Sequence, residues 1–189
     1  PDAQAKAYEK GVGEYWEWDC WFEGTDRPMA ELKREGCQVL SAAWRGQRAR
    51  LDPDGRLIGR ARRTPKGYQQ WDEGECFESP TAHTVSSRVV DVLGKQNGQV
   101  AFSVDWESAF FQQDPIPKDG PKVFCEIPEG DAGWRAGVKM CRRLAKWVPG
   151  TKHACKGWFE TVSRRLVSCG FEQSKMDPCV FYVRDEDGV

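Results

Sequence analysis

The sequence predicts an α+β fold, and three observations carry that prediction. Strands and helices mix without the regular strand–helix–strand repeat of a doubly wound sheet. One pair of segments reads as an antiparallel hairpin, and two amphipathic helices each end at glycine. With 189 residues there is mass for one core-bearing domain, or a domain and a half.

Residues 1–38 are poorly patterned, and their structure is left uncertain. Tyr15, Trp16, Trp18, Trp21 and Phe22 form an aromatic cluster suited to a local core or docking patch, although such rings also stack on bases. Ala30 to Cys37 is a short charged helix candidate. Residues 39–51 and 57–64 read as strands around the turn signal Asp52-Pro53-Asp54-Gly55. That hairpin carries Arg45, Arg48, Arg50, Arg56, Arg60, Arg62, Arg63 and Lys66 against two acids, Asp52 and Asp54. Such a stripe is able to meet phosphates, and equally suits a solvated edge. Residues 67–82 form a loop. Val85, Val89, Val92 and Leu93 then recur at helical spacing, and Gly94 and Gly98 end that helix.

The strand Val100–Asp105 follows, and a second strand runs from Lys122 to Pro128. Lys139 to Lys146 is basic. A helix over 153–168 lines up Trp158, Phe159, Val162 and Leu166 before Gly170 stops it. The last strand, Cys179–Val183, closes on the turn Asp185-Glu186-Asp187-Gly188. The strands ending at Asp105 and running through Phe181 are expected to be neighbours in one antiparallel sheet. Helices 84–94 and 153–168 are expected on one face of it.

Composition narrows the function classes. Net charge is −1, so there is no global electrostatic footprint for nucleic acid. The eight cysteines never form a Cys-x-x-Cys pair, and the two histidines, His83 and His153, lack metal-ligand spacing, which argues against zinc. No signal peptide or apolar run of membrane length is present, so reduced thiols, an intracellular location and no membrane partner are expected. Starting at Pro1 and stopping just beyond a turn, the chain reads as part of something longer.

Chemistry concentrates in Phe102-Ser103-Val104-Asp105-Trp106-Glu107-Ser108-Ala109-Phe110-Phe111. A carboxylate at a strand end is where two-metal nucleotidyl transfer fixes the oxygens that hold Mg²⁺. A ring five positions on is able to lie against a nucleotide sugar and crowd out a 2′-hydroxyl. An Asp at a strand end is also a common turn former or cap.

Seven segments in order, within a stretch of roughly 150 residues from about Gln38 to the end, resemble the copia-type retrotransposon reverse transcriptase. They begin with Arg60-Ala61-Arg62-Arg63-Thr64-Pro65-Lys66-Gly67, continued by Tyr68-Gln69-Gln70, and Phe77-Glu78-Ser79-Pro80. From Pro80, Arg88 lies eight positions on and Asp105 twenty-five, as in the family. Then come Asp105-Trp106-Glu107-Ser108-Ala109-Phe110-Phe111, Val123 to Gly130, Pro149 to Phe159, Gly170-Phe171, and Asp177-Pro178-Cys179-Val180-Phe181.

The resemblance implies polymerase fingers over about 39–98 and a partial palm over about 99–189. Asp105 would be the first metal-binding carboxylate, and Phe110 the ring that excludes ribonucleotides. Arg60 and Arg62 would face the incoming deoxynucleoside triphosphate, towards the cleft holding Asp105. Lys152 and His153 belong to the stretch Gly150 to His153, the floor under the nascent base pair. Mg²⁺, an RNA template and a DNA primer would be partners in a cytoplasmic particle or the nucleus.

The family's Tyr-x-Asp-Asp hairpin, source of the other metal carboxylates, is not within these residues, so the chain alone is expected to be inactive with Mg²⁺ weak or absent. His153 stands in place of Gln, Cys155 of Pro, Pro149 of Tyr, and Arg63-Thr64-Pro65 of an apolar run. Two readings follow: a fragment of an RNA-directed DNA polymerase, or a non-catalytic decayed relic or nucleic-acid-binding module.

Overall fold

Small residues set the first packing seam. The computed structural model describes residues 2–51, 53–55, 57–71, 74 and 77–184, with the side chains of 2, 46–50, 57, 58 and 60 left aside. Its first helix, α1 (Asp2–Glu17), packs on the hairpin of β3 (Ala42–Leu51) and β4 (Leu57–Pro65). Ala3, Ala7, Gly11 and Tyr15 recur every fourth position, so one helix face approaches the strands closely. A Cβ on Gly59 would stand 2.3 Å from the Ala3 carbonyl oxygen, and one on Gly11 2.8 Å from the Trp44 ring. Tyr15 ends the seam by donating its hydroxyl to the Arg63 carbonyl at 3.0 Å.

The chain divides into two compact units, residues 1–76 with 110–154, and 77–109 with 155–189. The first holds a four-stranded sheet in the order β1 (Arg27–Pro28), β6 (Met140–Arg143), β5 (Val123–Glu126), β2 (Gln38–Leu40). β1–β6 and β6–β5 are antiparallel, whereas β5 pairs with β2 in parallel, Gln38 opposite Val123. The wholly antiparallel sheet expected from sequence is therefore corrected to a mixed one. Helix α2 (Met29–Arg34) packs on β1 and β2, burying Met29 and Leu32. Tyr15, Trp21, Leu40, Phe111, Leu144 and Val148 belong to the main core cluster.

A buried ion cluster ties the N-terminal segment to β6. Arg142 donates to Asp26 and to Asp131 Oδ2, forms an ion pair with Asp131 Oδ1, and its guanidinium lies 4.4 Å from the Trp16 ring centroid. Trp16 Nε1 donates to the same Asp131 at 2.8 Å.

The second unit holds α3 (Thr84–Gln96), α4 (Ala154–Ser168, but for its first residue), and the antiparallel pair β7 (Glu172–Gln173) and β8 (Phe181–Tyr182). Asp177 caps α3 from a distance, accepting from the His83 amide at 2.9 Å and from the Cys179 amide at 2.9 Å. Bonds from Ser86 first, then from those two amides, hold its carboxyl below the ordinary range.

The expected strand Val100–Asp105 does not form: these residues have no regular secondary structure, and Val100 and Phe102 are each 86% exposed. Their alternation fits a strand, but among the described residues no segment supplies the ladder that would hold one. β8 pairs with β7 instead, so the predicted sheet joining Asp105 to Phe181 is absent among the described residues. The turn at 185–188 lies outside them.

Candidate nucleotide-binding site

β3 and β4 separate two kinds of arginine by strand alternation. Trp44 and Arg63 pair on the face that meets α1, where Arg63 is buried and donates Nη2 to the Glu126 carbonyl at 2.9 Å. One residue along, Arg45 and Arg62 pair on the opposite face, and both are exposed. Two cations directly opposite repel. A phosphate-rich ligand would relieve that repulsion. Arg60 lies two residues from Arg62 in β4, paired through its backbone with Arg48, and its side chain is outside the described ones.

β4 runs into a short 3-10 turn, Gly67–Gln69, and there the hairpin meets the loop carrying Lys152 and His153. A Cβ on Gly67 would fall 2.1 Å from the Gly150 carbonyl oxygen. Gly150, at φ +101°, leaves no room for one either, since it would lie 2.3 Å from Thr64 Cγ2. These glycines let two backbones touch across 83 residues of sequence. Gln70, only 3% exposed, spans the seam: its Oε1 accepts from the Lys152 amide at 2.8 Å, and its Nε2 meets His153 Nδ1 at 2.6 Å. The His153 ring stacks on Trp147 with centroids 4.2 Å apart and planes 17° from parallel. Gln69 staples the other side, accepting from the amide and hydroxyl of Ser41.

No family model, curated protein or solved structure matches this chain. The site stands on its own geometry.

Of the residues named from sequence, Arg62, Lys152 and His153 belong to this part of the first unit. Phe110 is in the same unit, half-buried in the 3-10 turn Ala109–Gln112, beside the buried Phe111 that packs edge-on to Tyr15. Asp105 belongs to the second unit, exposed in an irregular segment. Trp106 beside it meets Trp158 edge-on, with centroids 5.6 Å apart.

A single exposed carboxylate does not fit a Mg²⁺ site, which draws several oxygens. Among the described residues no group of three or more His, Cys, Asp or Glu side chains could hold a metal ion. The buried thiols are equally unsuited to ligation. Burial pushes Cys20, Cys125 and Cys141 each up to about 12, so they stay protonated near neutrality.

The sequence reading missed Gln70 and Trp147 as site residues. Gln70 stood inside the quoted Tyr68-Gln69-Gln70, but nothing in a single sequence tells a buried bridging amide from a solvated one.

Proposed function

We propose that the chain is a fragment of an RNA-directed DNA polymerase of the copia type. Its basic hairpin would contact the phosphates of nucleotide or primer–template, and its 150–153 loop would lie under the nascent base pair. The observation that carries this reading is the seam between Gly67-Gln70 and Gly150-His153. Two segments quoted for the resemblance pack backbone on backbone, and one of them, Gly150 to His153, is the floor that the resemblance implies under the nascent base pair. The exposed Arg45–Arg62 pair beside them adds support, because opposed guanidiniums suit bidentate recognition of phosphate.

In the complete enzyme the activity would be nucleotidyl transfer, whose metal ions the described carboxylates of this chain alone would not hold. Asp105 would be one carboxylate of the metal-binding set, and the others would come from the Tyr-x-Asp-Asp hairpin. The residues of this chain would bind and orient phosphates and bases.

A specific observation favours the second reading, a decayed, non-catalytic relic. Val100–Asp105 stands exposed outside any sheet, and Pro149, His153 and Cys155 depart from the family pattern.

Primer extension on an RNA template separates the two. The 189-residue chain is expected not to extend a primer. The reading frame continued downstream through an in-frame Tyr-x-Asp-Asp is expected to extend it, and to lose that activity with Asp105→Asn. A frame that stops before such a hairpin selects the relic. Extension indifferent to Asp105→Asn removes the assignment of Asp105.

A further inference from the structure

We propose that Gln70 is a positioning residue that fixes His153 as the neutral tautomer protonated on Nε2, so that the ring acts as a hydrogen-bond donor through Nε2. The role of His153 as part of a nucleotide floor rests on the reading above. The tautomer does not.

One group in the cluster has a polarity that is not open to choice. The Lys152 backbone N–H only donates, so the Gln70 atom 2.8 Å from it is the amide oxygen. That fixes the orientation of the side chain. The other end of the amide is then NH₂, a donor, and it meets His153 Nδ1 at 2.6 Å. Two donors cannot share that contact, so Nδ1 carries a lone pair and the ring proton sits on Nε2.

Burial makes the choice firm. Gln70 is 3% exposed, so an unmatched NH₂ there would have little water to turn to. Trp147, stacked at 4.2 Å, holds the plane of the imidazole, and Gly67 against Gly150 holds the backbone that carries it. Rotating the ring to present the other nitrogen would break the stack or the bond to Gln70.

One consequence concerns ligand chemistry. Whatever group takes the His153 Nε2–H, on the protein or on a ligand, must present an acceptor. In a base pair lying on this loop, the minor-groove N3 and O2 atoms qualify and the guanine amino group does not.

The test is ¹⁵N-histidine NMR on the full chain at about pH 8, above the ordinary histidine range. The chain has two histidines, so His153→Phe assigns the signals. The unmodified protein is expected to show His153 in the Nε2–H form. Gln70→Glu keeps an oxygen for the Lys152 amide but replaces the donor with an acceptor, so the proton is expected to move to Nδ1. If that variant does not fold, Gln70→Met removes both bonds at similar size, and His153 is expected to relax to the mixture of a free imidazole. A mixed or Nδ1–H signal in the unmodified chain overturns the proposal, as does a Gln70→Glu spectrum unchanged from it. Titration with a deoxynucleoside triphosphate is a separate arm. The expected tautomer without nucleotide binding upholds the role of Gln70 and removes instead the nucleotide floor assigned to residues 150–153 of this chain.

Discussion

Asp131→Ala tests whether the N-terminal segment is part of the folded body. Asp131 is buried and accepts three hydrogen bonds, from Trp16 Nε1 at 2.8 Å, the Gly133 amide at 2.9 Å and Arg142 Nη1 at 3.2 Å, and pairs with Arg142 Nη2 at 3.1 Å. Truncation leaves Arg142, whose side chain is 4% exposed, with Asp26 as its one remaining acid in the cluster. Removing one partner of a buried ion pair costs about 3–5 kcal/mol, because the surviving charge keeps its desolvation penalty. Asp26 still compensates half of that charge, so the expectation is the lower end, about 3 kcal/mol.

With total stability on the order of 5–15 kcal/mol, that is a large fraction. Urea unfolding followed by tryptophan fluorescence should show the midpoint fall by about 1–2 M. Asp119→Ala, at an exposed loop position, should stay within about 0.5 kcal/mol of the parent. A loss below about 1 kcal/mol for Asp131→Ala would refute the argument, since the cluster would then be solvated rather than structural.

Further outcomes follow from burial and backbone geometry. Cys20, Cys125 and Cys141 ionise near 9.0 when unfolded and near 12 when buried, so the unfolded state sheds protons first as pH rises. Their contribution to stability is therefore complete below about 9 and lost on the way to about 12. A thiol reagent near pH 8 should label exposed Cys155 and Cys169 rapidly and these three only in denaturant; equal rates would contradict their burial. Gly150→Ala should destabilise by more than about 1 kcal/mol, because φ is +101° and the new Cβ would meet Thr64 and Pro65. Gly13→Ala, in α1 with nothing within 4 Å, should stabilise by about 0.5–1 kcal/mol, and the same sign for both in thermal unfolding would sink the comparison.

Local signals were legible in the sequence, and partner choice was not. The hairpin appears where the turn residues placed it, with β3 and β4 at Ala42–Leu51 and Leu57–Pro65. The apolar spacing of Val85 to Leu93 gave α3, and α4 ends just before Gly170 as expected. Helix α1 escaped because its packing face is built from Ala3, Ala7 and Gly11, which are close-contact residues rather than strongly apolar ones. The parallel pairing of β2 with β5 joins segments some 85 residues apart, and periodicity says nothing about which strand meets which.

The same limit explains Val100–Asp105, whose alternation was real but found no partner among the described residues. α3 shows it again: Val85, Val89, Val92 and Leu93 are at least half exposed, and the buried apolar side chains among the described residues all belong to the first unit. At the site, Lys152 and His153 came from motif order alone. Gln70 became visible only once the fold brought its amide to them.

The claim that the basic hairpin contacts nucleic-acid phosphates is tested most directly by salt-dependent binding of an RNA–DNA primer–template. Affinity should fall steeply between about 50 and 200 mM salt. Changing Arg60 and Arg62 together to Ala should weaken binding at low salt and lower the slope of log affinity against log salt by about 2, one per lost phosphate contact. The same affinity and the same slope in the double variant would contradict the account.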